Sequence, residues 1–257
     1  MIYAVVCAVA LVASGLTLFS GFGLGTILMP AFAVFFPVAV AVALTSVVHL
    51  LNNLFKLALL GRHADTGVVL RFGVPALVTA LVGAWLLQWL SGLAPLVEYT
   101  LAGRACAVHP VKLAVAAIMA VFAVLEGCSV LDRWSVPPRW LPVGGALSGF
   151  LGGLSGHQGA LRSVFLLRCN LSKEAFLATG VVIACIVDVG RIAIYAATLP
   201  WTALGANAGL LAAATAAAFA GAFAGARLVR KITLRTVQGV VAILLFVLSV
   251  ALGAGLV

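Results

Sequence analysis

The chain has 257 residues, of which 65% are apolar and only 8% charged, with a mean hydropathy of +1.27. A soluble domain carries about 25% charge, and so sparse a set cannot coat a water-soluble globule, which leaves a polytopic membrane protein whose exterior faces lipid. The net charge of +9 fits nucleic acid, an anionic substrate or cytoplasmic loops equally well until it is placed along the chain.

The first apolar run, 2–19, lacks a basic segment before it, so a cleaved signal peptide is not expected and the run belongs to the mature fold. A glycine-rich break follows, with Gly21, Gly23 and Gly25, then a short apolar piece over 26–36. Crossing the hydrocarbon takes about 20 helical residues, so that piece is too short to span and 2–36 reads as a re-entrant hairpin. Long apolar segments at 38–60, 68–90 and 112–131 read as crossing helices. The pattern then recurs: 140–155, a second break over Gly152–Gly159, a short piece to 168, and crossing segments at 175–198, 203–226 and 236–256. The cysteines Cys7, Cys106, Cys128, Cys169 and Cys185 show neither a C-x-x-C pair nor metal-ligand spacing and read as packed thiols. No cofactor, metal or nucleic-acid motif is visible.

Sliding the chain by 134 residues pairs Gly25 with Gly159, Thr45 with Thr179, Val47 with Val181 and Val48 with Val182, as an internal duplication would. Gly83-Ala84 and Gly221-Ala222 also correspond if a short insertion is allowed. The positive-inside rule selects the topology. If each break merely interrupts one crossing, Arg104, Lys112, Arg168, Lys173, Arg227, Arg230, Lys231 and Arg235 fall outside. Only Arg62, Arg71, Arg133 and Arg139 then remain inside. If each break is a hairpin tip, all of these except Arg104 and Lys112 fall inside. One hairpin and three crossings per repeat make the repeats inverted. The expected fold is therefore an all-α polytopic membrane protein, a single membrane domain of two inverted-topology repeats, 1–131 and 132–257, with both termini external.

Broken helices at membrane depth are tolerated where they line a polar cavity, so two facing tips imply a central site. New helices begin there at about Thr26 and about Gly159, and their first N–H groups lack partners and carry a partial positive charge. A small anion is the natural guest. Gly21, Gly23, Gly25, Thr26, Gly156, His157, Gln158 and Gly159 are the candidate tip residues, with Arg162 one turn further on. Arg162 reads as an anion clamp; pairing with a carboxylate or backbone carbonyls is its structural alternative. Thr45, His49, Asn52 and Lys56 form one helical stripe, joined by Ser46 and Asn53, that would wall a path toward the cytoplasm. Interhelical hydrogen bonding, and snorkelling by Lys56, are the plainer explanations. Thr179 stands at the position equivalent to Thr45. Asp188 and Arg191, three apart on 175–198, read as an internal ion pair, with a gate or proton relay as the functional alternative.

Around these tips, the run from Ser20 to Asp65, with its glycine-rich turn, Pro30 and the Val42-Ala43-Leu44-Thr45-Ser46 helix start, resembles the first-repeat signature of the TauE/SafE family. Gly149–Gly180 resembles the second-repeat signature, with His157 and Gln158 in place of glycines and Val164 in place of a common proline. The resemblance implies a secondary transporter of a bacterial-type inner (plasma) membrane. It would export sulfite, an organosulfonate or a related small anion by alternating access, driven by protons or the membrane potential. Two other classes stay open. One is a passive anion channel. The other is an intramembrane serine protease using Ser155 of the Gly153-Leu154-Ser155-Gly156 run with His49 or His157. The oligomeric state is not fixed by the sequence.

Overall fold

A computed structural model of the chain describes residues 1–20, 23–101, 103–128, 136–199, 205–228 and 234–256. The candidate Gly21, the loop charges Arg133, Arg230 and Lys231, and the charge-free connection at 200–204 lie outside the described residues. Ten α-helices are described: α1 (Ile2–Ser20), α2 (Leu24–Ala33), α3 (Val38–Leu60), α4 (Thr66–Ser91), α5 (Pro110–Gly127), α6 (Leu141–Ser155), α7 (Gly159–Leu166), α8 (Lys173–Thr198), α9 (Ala208–Leu228) and α10 (Leu234–Gly253).

The all-α expectation misses one element. Between α4 and α5 the strands β1 (Val97–Leu101) and β2 (Arg104–Val108) form an antiparallel hairpin, with Tyr99 opposite Cys106. Short runs of β-branched, aromatic and small residues flank a turn containing Gly103 at φ +80°, a conformation that glycine adopts without strain. The helix starts follow ordinary capping rules. Asp65 accepts a hydrogen bond from Val68 N (2.8 Å) at the head of α4, Ser172 accepts from Ala175 N (3.1 Å) at the head of α8, and Pro110 opens α5.

Among the described residues four helices, α3, α4, α5 and α8, are long and apolar enough to cross a membrane. With 21 and 20 residues, α9 and α10 rise about 30 Å, the thickness of the hydrocarbon core. On α4, Leu70, Val74, Val78, Val82, Trp85 and Trp89 are all more than half exposed, whereas Ala76, Ala80 and Ala84 are fully buried. Large apolar side chains outward and small ones inward is the arrangement of a helix between lipid and a tight protein interface, and the chain is an integral membrane protein.

Both short helices fold back on the helix before them. Phe165, near the end of α7, lies against Gly144, near the start of α6. Val5 and Val9 of α1 share an apolar groove with Thr26, Pro30 and Val34 at α2. Helix α6 packs along α4, and α1 packs along α9. Glycine sets the closeness of these seams. A Cβ at Gly145, Gly149 or Gly153 of α6 would strike the carbonyl oxygens of Phe72, Ala76 or Ala80 on α4; one at Gly221 of α9 would strike that of Leu11 on α1. Helices α5 and α10 pair with each other, as do α3 and α8. Exchanging the two halves of the chain maps each of these four pairings onto another of them or onto itself.

Candidate functional site

The two hairpin tips meet. Gly23 precedes α2 with φ +123°, and Gly156 ends α6 with φ +82°. A Cβ added at Gly25 would lie 3.2 Å from the Gly156 carbonyl oxygen and 3.7 Å from the His49 ring, so tip and tip approach closely here and a side chain would have to push the Gly156 carbonyl back. The α2 helix begins two residues before the expected Thr26, while α7 begins at Gly159 as its sequence implies.

Helices α3 and α8 flank this junction and bring their ionisable residues together. His49 Nδ1 stands 2.6 Å from Asp188 Oδ2, across the two halves of the chain. Because a carboxylate only accepts, Nδ1 donates, and Nε2 is free to accept from Asn53 Nδ2 at 3.4 Å. Asp188 Oδ1 accepts from Arg191 Nε (3.0 Å) and Gln158 Nε2 (3.0 Å), with Arg191 Nη2 also 2.8 Å away. Arg191 reaches back to the second tip, where Nη1 donates to the Gly152 carbonyl (2.9 Å). The Tyr195 hydroxyl donates to the Gly153 carbonyl. The Tyr195 bond supplies a donor to one of the last carbonyls of α6, and the Arg191 bond is a second donor to the Gly152 carbonyl, which also accepts from Gly156 N (3.0 Å).

The remaining tip residues are sealed from bulk. His157, Gln158 and Arg162 are 1%, 2% and 4% exposed. The Ser148 hydroxyl donates to the Gln158 carbonyl (2.8 Å), and the His157 ring stacks on Phe122 of α5 at 5.5 Å between centroids. Arg162 passes Gly180 of α8, and its Nη1 is buried without a hydrogen-bond partner. Neither structural alternative, a carboxylate or a carbonyl, meets that nitrogen among the described residues. Asp188, the carboxylate within electrostatic range, is bonded to His49, Gln158 and Arg191.

The stripe on α3 divides. Thr45 and Ser46 donate to carbonyls of their own helix, Ala41 (2.8 Å) and Ala43 (2.6 Å). Asn52 accepts from Ser14 of α1 (3.1 Å), His49 turns to α8, and Lys56 is buried rather than snorkelling. Thr179 lies near the chain turn before α4, accepting from Asp65 N (2.9 Å). Thr26 borders the apolar groove shared by α1, α2 and α10. The junction therefore unites Gly25, His49, Gly156, His157, Gln158, Gly159, Arg162, Asp188 and Arg191, whereas Thr26, Thr45, Ser46, Asn52 and Thr179 make their bonds or contacts elsewhere.

Ser155 does not form a nucleophile–base pair with His157, although Oγ lies 3.1 Å from Nδ1. The Ser155 hydroxyl donates to Leu151 O (2.9 Å), and Nδ1 sits 3.0 Å from the Ser155 carbonyl, an acceptor only. That nitrogen therefore carries a proton and has no lone pair with which to deprotonate the serine.

Sequence reasoning treated His49 and Asp188 separately and did not single out Tyr195 or Phe122. The signal for the first pair was available: an aspartate midway along an apolar helix costs about 2.5–3.5 kcal/mol at the bilayer centre when unmatched, which calls for a partner such as a histidine on another helix. A profile of the family described as Sulfite exporter TauE/SafE matches residues 6–252 of the chain. The curated proteins and solved structures compared with it yield no match.

Proposed function

Because the chain belongs to the TauE/SafE sulfite exporter family, whose members are membrane transporters of the exporter type, we propose that it exports sulfite or a related sulfur oxyanion held where the hairpin tips meet. The observation that carries this reading is Arg162 Nη1, buried and unpartnered one turn into α7. The first amides of α7 and α2 have no helical acceptors and add their partial positive charge to the same junction. With His49 neutral, Arg162 and Arg191 face Asp188 alone, so the junction has one cation in excess. An anion restores the balance.

The chain works as two inverted repeats, 1–131 and 132–257, each a hairpin and three crossings, with both termini on the outer side of the inner membrane. Two groups of chain turns support this topology. A cavity of about 470 Å³ is lined by Ala33–Ala39, Ser91, His109, Val111, Lys112 and Leu252. Tyr99 of the β-hairpin bonds Ala254 nearby. All of these belong to the side assigned as external. Asp65 and Thr179, which bond to each other, belong to the side assigned as cytoplasmic. Rocking of the α1–α2 and α6–α7 hairpins about the α3–α8 pair opens the junction to either side in turn, and the external cavity receives the released anion.

The test is counterflow of labelled sulfite in proteoliposomes. The wild-type protein is expected to show trans-stimulated uptake, which a pore lacks. Arg162→Ala abolishes uptake while the protein stays monodisperse in detergent, and Arg162→Lys keeps a reduced rate. Wild-type counterflow by Arg162→Ala removes the site from the tip.

A further inference from the structure

One side chain at the junction is placed to change its charge. The arginines keep their protons, and Asp188 is fully buried among Arg191, Gln158 and His49. His157 is 1% exposed and stacked on Phe122, and no carboxylate among the described residues bonds to it. The His49 side chain, in contrast, is 12% exposed and already has a carboxylate 2.6 Å from Nδ1. Its other nitrogen is open to a proton. Nε2 lies 3.9 Å from the position of a Cβ on Gly25, which itself stands 3.2 Å from the Gly156 carbonyl oxygen, so this edge of the ring borders the contact between the tips. Asn53 Nδ2, 3.4 Å away, donates to Nε2 while the ring is neutral, and the same amide turned over presents Oδ1 to an Nε2–H. Both protonation states of the ring therefore have a partner.

The charges facing the ring decide when the proton binds. Asp188 and Arg191 act on it from α8, and Arg162 acts on it from α7. Cys185, one turn before Asp188, is a buried thiol, and Lys56 stands two turns further along α3. Helices α1 and α2 and residues 208–224 of α9 contribute no charged side chain; Arg62, His63, Asp65 and Arg71 lie exposed beyond the far end of α3. With one cation already in excess, a proton on His49 raises the excess to two and is opposed. A bound anion removes the opposition, and by reciprocity the proton strengthens the hold on the anion. We infer that His49 takes up a proton at Nε2 together with the anion, so that the protein carries the two in the same direction. This rests on the tip junction being the anion site and assigns a coupling ion to it. The proton comes from water on the side where the anion enters and returns to water with the anion; Nε2–H forms and breaks once per cycle.

The test measures sulfite binding by calorimetry in detergent between about pH 8 and about pH 6, for the wild type and for His49→Asn, which keeps an N–H toward Asp188 and cannot hold the proton. Sulfite's own titration is common to both proteins, so the ratio of their affinities isolates the proton on the side chain. Binding that takes up a proton strengthens as pH falls, and the wild-type advantage is expected to grow by up to about tenfold per pH unit. Nitrogen-15 NMR of the four histidines of the wild type reads the same event whether or not the variant folds. At fixed pH, one ring should gain a second N–H when sulfite is added. An affinity ratio independent of pH, a ratio that shrinks as pH falls, as exchange of proton for anion requires, or no ring gaining an N–H overturns the co-transport and leaves the anion site standing. If the wild-type protein fails to bind sulfite at any pH, the anion site itself falls.

Discussion

Asp188 holds the junction together through three side chains from three segments: His49, Gln158 and Arg191. Removing one member of a buried charged group leaves the others uncompensated, at a cost of about 3–5 kcal/mol. Asp188→Ala is therefore expected to lower the thermal midpoint sharply in detergent. Asp188→Asn, which keeps an acceptor oxygen, is expected to lower it less. Equal midpoints for Asp188→Asn and the wild type would show that the negative charge contributes nothing. The Arg191 partner was legible, since three residues of helix put it in reach of Asp188. His49 lies 139 positions away along the chain, and no local rule brings those two helices face to face.

At the scale of elements, the glycine stripe Gly145, Gly149 and Gly153 lets α6 approach α4 until backbone meets backbone. Gly149→Leu drives a side chain into the Ala76 carbonyl and is expected to separate the hairpin from α4, with loss of monodisperse protein. Gly239→Ala on α10, which has nothing within 4 Å, is expected to leave stability unchanged or raised. A soluble, monodisperse Gly149→Leu protein would mean that the seam is loose. Gly25→Leu tests the tip itself: the Gly156 carbonyl and the His49 ring already crowd a Cβ there, so a leucine should force the tips apart and transport should stop. Normal flux would show that the tips separate without passing through this contact. The hairpins were readable because glycine breaks precede pieces too short to span. The β-hairpin at 97–108 escaped because two five-residue strands carry little periodic signal inside an apolar chain.

For the whole molecule, the proposed inverted topology would put the β-hairpin and the head of α8 on opposite sides. A membrane-impermeant maleimide should therefore label Glu98→Cys in intact cells and Lys173→Cys only after lysis, with the exposed native Cys128 replaced by serine. The reverse labelling would overturn the orientation, and labelling of both from outside would overturn the inversion. The loop charges already favour this sidedness, because positive residues retained on the cytoplasmic side act locally on each segment during insertion.

The amino-acid sequence alone determined that the chain lives in lipid, where its helices break and that an arginine sits beside the second break. Each of these follows from composition or from spacing along a few turns. Only the tertiary structure decided that the two breaks touch, that His49 closes on Asp188 and that Thr45, Asn52 and Thr179 bond elsewhere. Helical periodicity says which residues share a face, but which neighbour meets that face is set by backbone approach at distant glycines.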